Sequence, residues 1–96
     1  WWETTRKVCY YCSLPETALT ELHNQPGHIN KRYPKRGKSL EIDRKQSDLP
    51  YSVIDNLVLA CYWCNNAKTD TFTEVEFRQV GQAIKLIWET RLNRQL

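Results

Sequence analysis

The spacing of apolar and polar positions along the chain divides it into elements. Ser13-Leu14-Pro15-Glu16 joins a capping serine, an early-turn proline and a glutamate three residues on, which predicts a helix start. Ala18, Leu19 and Leu22 then fall on one side of a short helix that ends near Leu22. From His23 to Lys38 no apolar period survives, and Asn, Gln, Pro, Gly and basic residues predict a loop. Ser39 to Arg44 predicts a strand, with Leu40 and Ile42 on one face and Glu41 and Asp43 on the other. Asn56-Leu57-Val58-Leu59-Ala60-Cys61 predicts a second strand, reached through the long turn KQSDLPYSVID. Thr73-Glu74-Val75-Glu76 is a capping box, after which Phe77, Val80, Ile84, Ile87 and Trp88 recur at helical intervals. Gly81 interrupts that pattern at a cost of about 1 kcal/mol relative to alanine, which predicts either a break in the helix or a close packing contact.

With no repeat and no linker, residues 1–96 make a single domain, of a size at which an apolar core alone gives only marginal stability. The cysteines supply a staple. Cys9 and Cys12, then Cys61 and Cys64, form two CxxC pairs separated by 48 residues. Each such turn aims two thiolates at one ion, so the pair predicts one tetrahedral zinc site. Disulfides and a redox CxxC compete with this reading. A secreted disulfide scaffold usually carries more cysteine for its size, however, and a redox motif needs a βαβ context and does not come as a matched pair. Four thiolates close the coordination shell, so the site is structural, and such a zinc contributes about 10 to 16 kcal/mol of apparent binding free energy. The sequence shows no signal peptide and no apolar run long enough to span a bilayer, from which a cytoplasmic location and no membrane partner are expected. The absence of methionine predicts a domain trimmed from a longer protein, compatible with a larger chain or complex.

Charge adds a partner. The net charge is only +3, but Lys31, Arg32, Lys35, Arg36, Lys38, Arg44 and Lys45 place half of the 14 Lys and Arg within fifteen positions, against Glu41 and Asp43 alone. A cluster of this kind favours a polyanion such as nucleic acid over a merely solvated loop. Tyr33, inside NKRYPKRGK, is the aromatic best placed to contact nucleic acid. Tyr10, Tyr11, Tyr62 and Trp63 lie within the CxxC turns, where packing around the metal is a commoner use than stacking on bases, and Trp1, Trp2 and Trp88 are expected in the core or at its edge. Asp43 ends the first strand and Asn65 follows Cys64, where a zinc site would hold it rigidly. A carboxylate and an amide oxygen suit a Mg²⁺ ion that keeps several waters and takes further ligands from a phosphate.

Taken together, CYYC, LEIDR, NLVLACYWCNNAK and TFTEVEF, running from Cys9 to Phe77, resemble the zinc-containing branch of the HNH endonucleases. The resemblance implies a small α+β domain built on a ββα-metal motif. That motif is a β-hairpin and helix stapled by a four-cysteine zinc site, here with a short N-terminal helix and a C-terminal helical segment. It also implies a metal-dependent endonuclease that hydrolyses phosphodiester bonds in DNA. Cys9, Cys12, Cys61 and Cys64 match the structural zinc ligands. Asp43 and Asn65 match the ligands of a catalytic Mg²⁺ or Mn²⁺ ion, and Asn56 matches the middle asparagine that braces the hairpin. Lys68 joins Lys31, Arg32, Lys35, Arg36 and Lys38 as a phosphate contact.

One position departs from the pattern: Arg44 stands where the family has its general-base histidine. Arginine stays protonated and cannot be that base, although its fork can bind phosphate and stabilise developing charge. Hydrolysis could then proceed more slowly with a metal-activated water, His23 or His28 could act as the base, or the domain could be a catalytically silent nucleic-acid-binding module. Asp43, Asn56 and Asn65 all in place favour retained activity. A zinc-stabilised binding module without catalysis is the alternative, and a protein-interaction zinc module is a third reading.

Overall fold

The computed structural model describes residues 1–26 and 30–93. His28 lies outside them. The elements run α1 (Glu16–Asn24), β1 (Glu41–Arg44), a 3-10 turn (Ile54–Asn56), β2 (Leu57–Ala60), α2 (Tyr62–Lys68) and α3 (Glu74–Asn93). β1 and β2 form an antiparallel hairpin in which Glu41 faces Ala60, Ile42 faces Leu59, Asp43 faces Val58 and Arg44 faces Leu57.

α1 begins at Glu16, with Pro15 as its N-cap and no side-chain cap, so the expected capping box at Ser13 does not form. Ser13 is committed elsewhere. It sits at φ 64° and its N–H donates to the Cys9 carbonyl at 2.9 Å, closing the first CxxC turn. The Glu16 carboxylate instead accepts the Leu40 N–H at 2.9 Å, which ties α1 to the start of the hairpin. The helix continues to Asn24, past the expected end at Leu22, and buries Leu19 and Leu22.

The hairpin is shorter than its apolar pattern, because Leu40 is bonded to Glu16 rather than to a neighbouring strand, and Asn56 belongs to the turn. Within the strand the acid is the better buried of the central pair. Ile42 is 39% exposed while Asp43 is only 9% exposed. The cause is α2, which packs on the Glu41 and Asp43 face and brings polar partners to both.

α3 opens as expected. Thr73 N–H donates to Glu76 Oε1 at 2.9 Å and Glu76 N–H to Thr73 Oγ1 at 3.1 Å, a reciprocal capping box. The helix runs unbroken through Gly81, where a Cβ would lie 2.3 Å from the Tyr11 carbonyl oxygen, so the glycine serves close packing. Phe77, Gly81 and Trp88 face the core, whereas Val80 and Ile87, which share the apolar period, are exposed. Trp1 and Trp2 lie at the surface, each 40% exposed. The core gathers the four cysteines, Tyr11, Leu14, Leu19, Leu22, Leu59, Phe77 and Trp88 into one cluster between the hairpin and the helices. Among the described residues no helix is long and apolar enough to cross a membrane.

Candidate active site and metal centre

The first CxxC turn precedes α1, and the second opens α2 with Cys61 as its N-cap. All four cysteines are buried, and their sulfurs lie within 4.8 Å of one another, with Cys12 and Cys61 at 3.9 Å. A disulfide needs about 2.05 Å. These sulfurs are free thiols. Four metal–sulfur bonds of about 2.3 Å define a tetrahedron with edges of about 3.8 Å, which the cluster approaches.

Backbone N–H groups point at the sulfurs, from Cys12 and Cys61 to Cys9 at 3.5 and 3.3 Å and from Cys64 to Cys61 at 3.4 Å. The Cys9 thiol is pushed far down, first by hydrogen bonding from Cys12, while Cys61 and Cys64 are pushed up, first by the same Cys12. A bound divalent cation lets its thiol ligands ionise together. The donor set fits a metal ion such as zinc.

The second centre lies between the hairpin and α2. Asp43 Oδ2 accepts a 2.6 Å hydrogen bond from the Tyr11 hydroxyl and lies 3.6 Å from Lys68 Nζ. Burial first, and then Asp43, push the Tyr11 hydroxyl well above its ordinary pKa, so Tyr11 stays a donor. Asn65, half-buried on α2, donates from Nδ2 to Glu41 Oε1 at 3.0 Å. Asp43, Arg44, Ser47, Tyr51, Asn65, Thr69 and Asp70 line one cavity of about 220 Å³.

A solved structure of the rare-cutting HNH restriction endonuclease PacI, an enzyme described as perturbing DNA, matches this architecture. Its TM-score is 0.70 at 32% sequence identity, over 94% of this chain and 61% of that one. The fold is that of the HNH endonucleases. The chain spans 61% of PacI's length. No family model and no curated protein matches it.

Within the HNH frame, the expected site residues divide into those on the cavity and those behind it. Asp43, Arg44 and Asn65 reach it together. Asn56 is buried at the foot of β2, where its Oδ1 accepts the Gln46 N–H and its Nδ2 donates to the Gln46 carbonyl, both at 2.9 Å. Its own carbonyl takes the Lys45 N–H at 2.8 Å, so one asparagine pins the chain where β1 ends.

Lys68 is not a surface cation. It is 1% exposed, and besides facing Asp43 it donates to the Arg44 carbonyl at 3.1 Å. Its charge offsets the cost of burying the carboxylate. Arg44 donates to the Leu49 carbonyl at 3.0 Å and stacks on Tyr51 at 4.6 Å, holding the 45–51 loop at the cavity's edge. His23 lies in the last turn of α1 and does not line the cavity.

The basic segment is an ordered loop docked on α2. Asn30 brackets it, accepting the Tyr33 N–H at 2.9 Å and donating to the Arg36 carbonyl at 3.3 Å. Gly37, at φ 107°, lies against Trp63, whose ring a Cβ would approach to 2.5 Å. Arg36 forks onto Glu41 and covers the Tyr62 ring at 4.4 Å, so its charge is spent within the protein. Lys31, Arg32, Lys35, Lys38 and Tyr33 remain exposed.

Sequence reasoning missed Ser47, Tyr51, Thr69 and Asp70 on the cavity wall. Thr69, at φ 52°, ends α2 and turns the chain there, and no local pattern marks that convergence.

Proposed function

We propose that this HNH domain is a metal-dependent endonuclease that hydrolyses phosphodiester bonds in DNA. The observation that supports it most is that Asp43 and Asn65, on different elements, line one cavity while protein partners hold one terminal atom of each side chain. In this reading Cys9, Cys12, Cys61 and Cys64 hold zinc, and Asp43 and Asn65 hold Mg²⁺ or Mn²⁺. The carboxylate and amide oxygens are the hard donors such an ion prefers. When bound, the ion supplies a water of lowered pKa and neutralises charge on the scissile phosphate.

The chain's own residues prepare that chemistry. Tyr11 and Lys68 fix one oxygen of Asp43 and leave the other for the ion. Asn56 holds the hairpin end that presents Asp43. Arg44 has donors beyond the one given to Leu49, which makes it a permanent cation at the cavity's rim for a neighbouring phosphate. Lys31, Arg32, Lys35 and Lys38 form the surface for the nucleic-acid backbone, and the affinity they confer falls with salt. The absence of a histidine beside Asp43 is consistent with a slower enzyme.

The test is nicking of a supercoiled plasmid by the zinc-loaded domain with Mg²⁺ or Mn²⁺. Cleavage is expected, with loss of at least about 10²-fold in Asp43→Ala, the scale of removing a metal-binding electrostatic group. Duplex binding without cleavage under either ion contradicts the proposal and favours the binding-module reading.

A further inference from the structure

An asparagine serves a metal ion only through its side-chain oxygen, and the amide of an exposed asparagine can turn either end outward. Asn65 is not free to do so. Its Nδ2 donates to Glu41 Oε1 at 3.0 Å. A carboxylate has no proton to give, so the nitrogen must face Glu41 and the oxygen is left for another partner. Asn65 lines the cavity and Glu41 does not.

We propose that Glu41 is a positioning residue that locks Asn65 with its oxygen toward the divalent ion. This rests on the reading of Asp43 and Asn65 as ion ligands and adds a role that lies two residues from Asp43 on the same strand. Glu41 and Asp43 share the strand face that α2 covers, so β1 carries one ligand and the brace for the other. Glu41 is itself immobilised. Arg36 donates from Nε to Oε2 at 3.1 Å and from Nη2 to Oε1 at 2.8 Å, and the guanidinium rests on Tyr62. The chain Arg36, Glu41, Asn65 therefore runs from the basic loop into the site, and a planar fork gripping a carboxylate leaves that carboxylate one orientation. Outer partners that fix the orientation of a ligand commonly change metal affinity by about 10- to 100-fold when removed.

The test measures Mn²⁺ binding directly, by paramagnetic resonance of unbound Mn²⁺ in titrations of zinc-loaded protein without DNA. Circular dichroism and zinc content confirm the fold of each variant. Glu41→Ala is expected to weaken Mn²⁺ binding by about tenfold, while Glu41→Gln, whose amide oxygen still accepts from Asn65, stays within about threefold of wild type. Asn65→Asp supplies an oxygen in either orientation, so adding Glu41→Ala to it should cost nothing further. Wild-type affinity in folded Glu41→Ala overturns the proposal. So does a loss from Glu41→Ala that is equally large with and without Asn65→Asp, or a loss in Glu41→Gln as large as in Asp43→Ala, which would make Glu41 a ligand itself. If wild type shows no Mn²⁺ binding sensitive to Asp43→Ala, the ligand reading falls and this proposal falls with it.

Discussion

Asp43 is nine-tenths buried and lines the cavity, and one of its oxygens is taken by Tyr11. Tyr11 supplies that bond from within the first CxxC turn, between Cys9 and Cys12, so the metal knuckle and the strand acid are separated by one side chain. Removing the hydroxyl while keeping the ring isolates this link. Tyr11→Phe retains the edge-on packing against Phe77 and loses a hydrogen bond to a charged group, worth about 2 kcal/mol. Urea unfolding of the zinc-loaded protein should show a loss of that size, with plasmid nicking reduced about tenfold because Asp43 is no longer aimed. Unchanged nicking in Tyr11→Phe would mean that Lys68 alone positions the carboxylate.

Elements formed by local rules were legible in the sequence, and those set by tertiary contact were not. The capping box at Thr73 formed because the residues that make it are adjacent and nothing else claims them. The box at Ser13 failed because the turn around Cys9 claims its backbone. The burial of Asp43 was not legible in β1, because alternation tells which residues share a side but not which side another element covers, and here α2 covers the acidic one. The paired CxxC spacing, Asp43, Asn56 and Asn65 stood out as motif, whereas Glu41, Tyr51 and Asp70 acquire their places only when loops and α2 close around the hairpin.

Gly81 is the element-scale test. In an ordinary helix Gly→Ala stabilises by about 1 kcal/mol. Here the new methyl meets the Tyr11 carbonyl oxygen at 2.3 Å and its carbon at 2.6 Å, backbone atoms of the knuckle that cannot rotate away. Overpacking of this kind costs about 1 to 3 kcal/mol, so Gly81→Ala is expected to lower the melting temperature, and a raised one would contradict the packing described.

At the scale of the molecule, the cysteine cluster joins the start of the chain to its middle and the hairpin carries Asp43 and Arg44 between them. The core is small and built around four thiols that could hold one metal ion, and in the proposed function that ion makes the core coherent. The same cluster holds α2 by its first turn, and α2 carries Asn65 and Lys68 to the strand that carries Glu41 and Asp43. In the proposed function, two metal centres of different chemistry share one short helix, a sulfur centre at its start and an oxygen centre on its side. The most direct measurement of this claim is a crystal structure of zinc-loaded protein soaked in Mn²⁺, with anomalous data collected at both metal edges. The expected result is a zinc peak among the four sulfurs and a separate manganese peak contacting Asp43 and Asn65 in the cavity. Zinc at the sulfurs with no manganese between Asp43 and Asn65, at Mn²⁺ concentrations that support nicking, would contradict it.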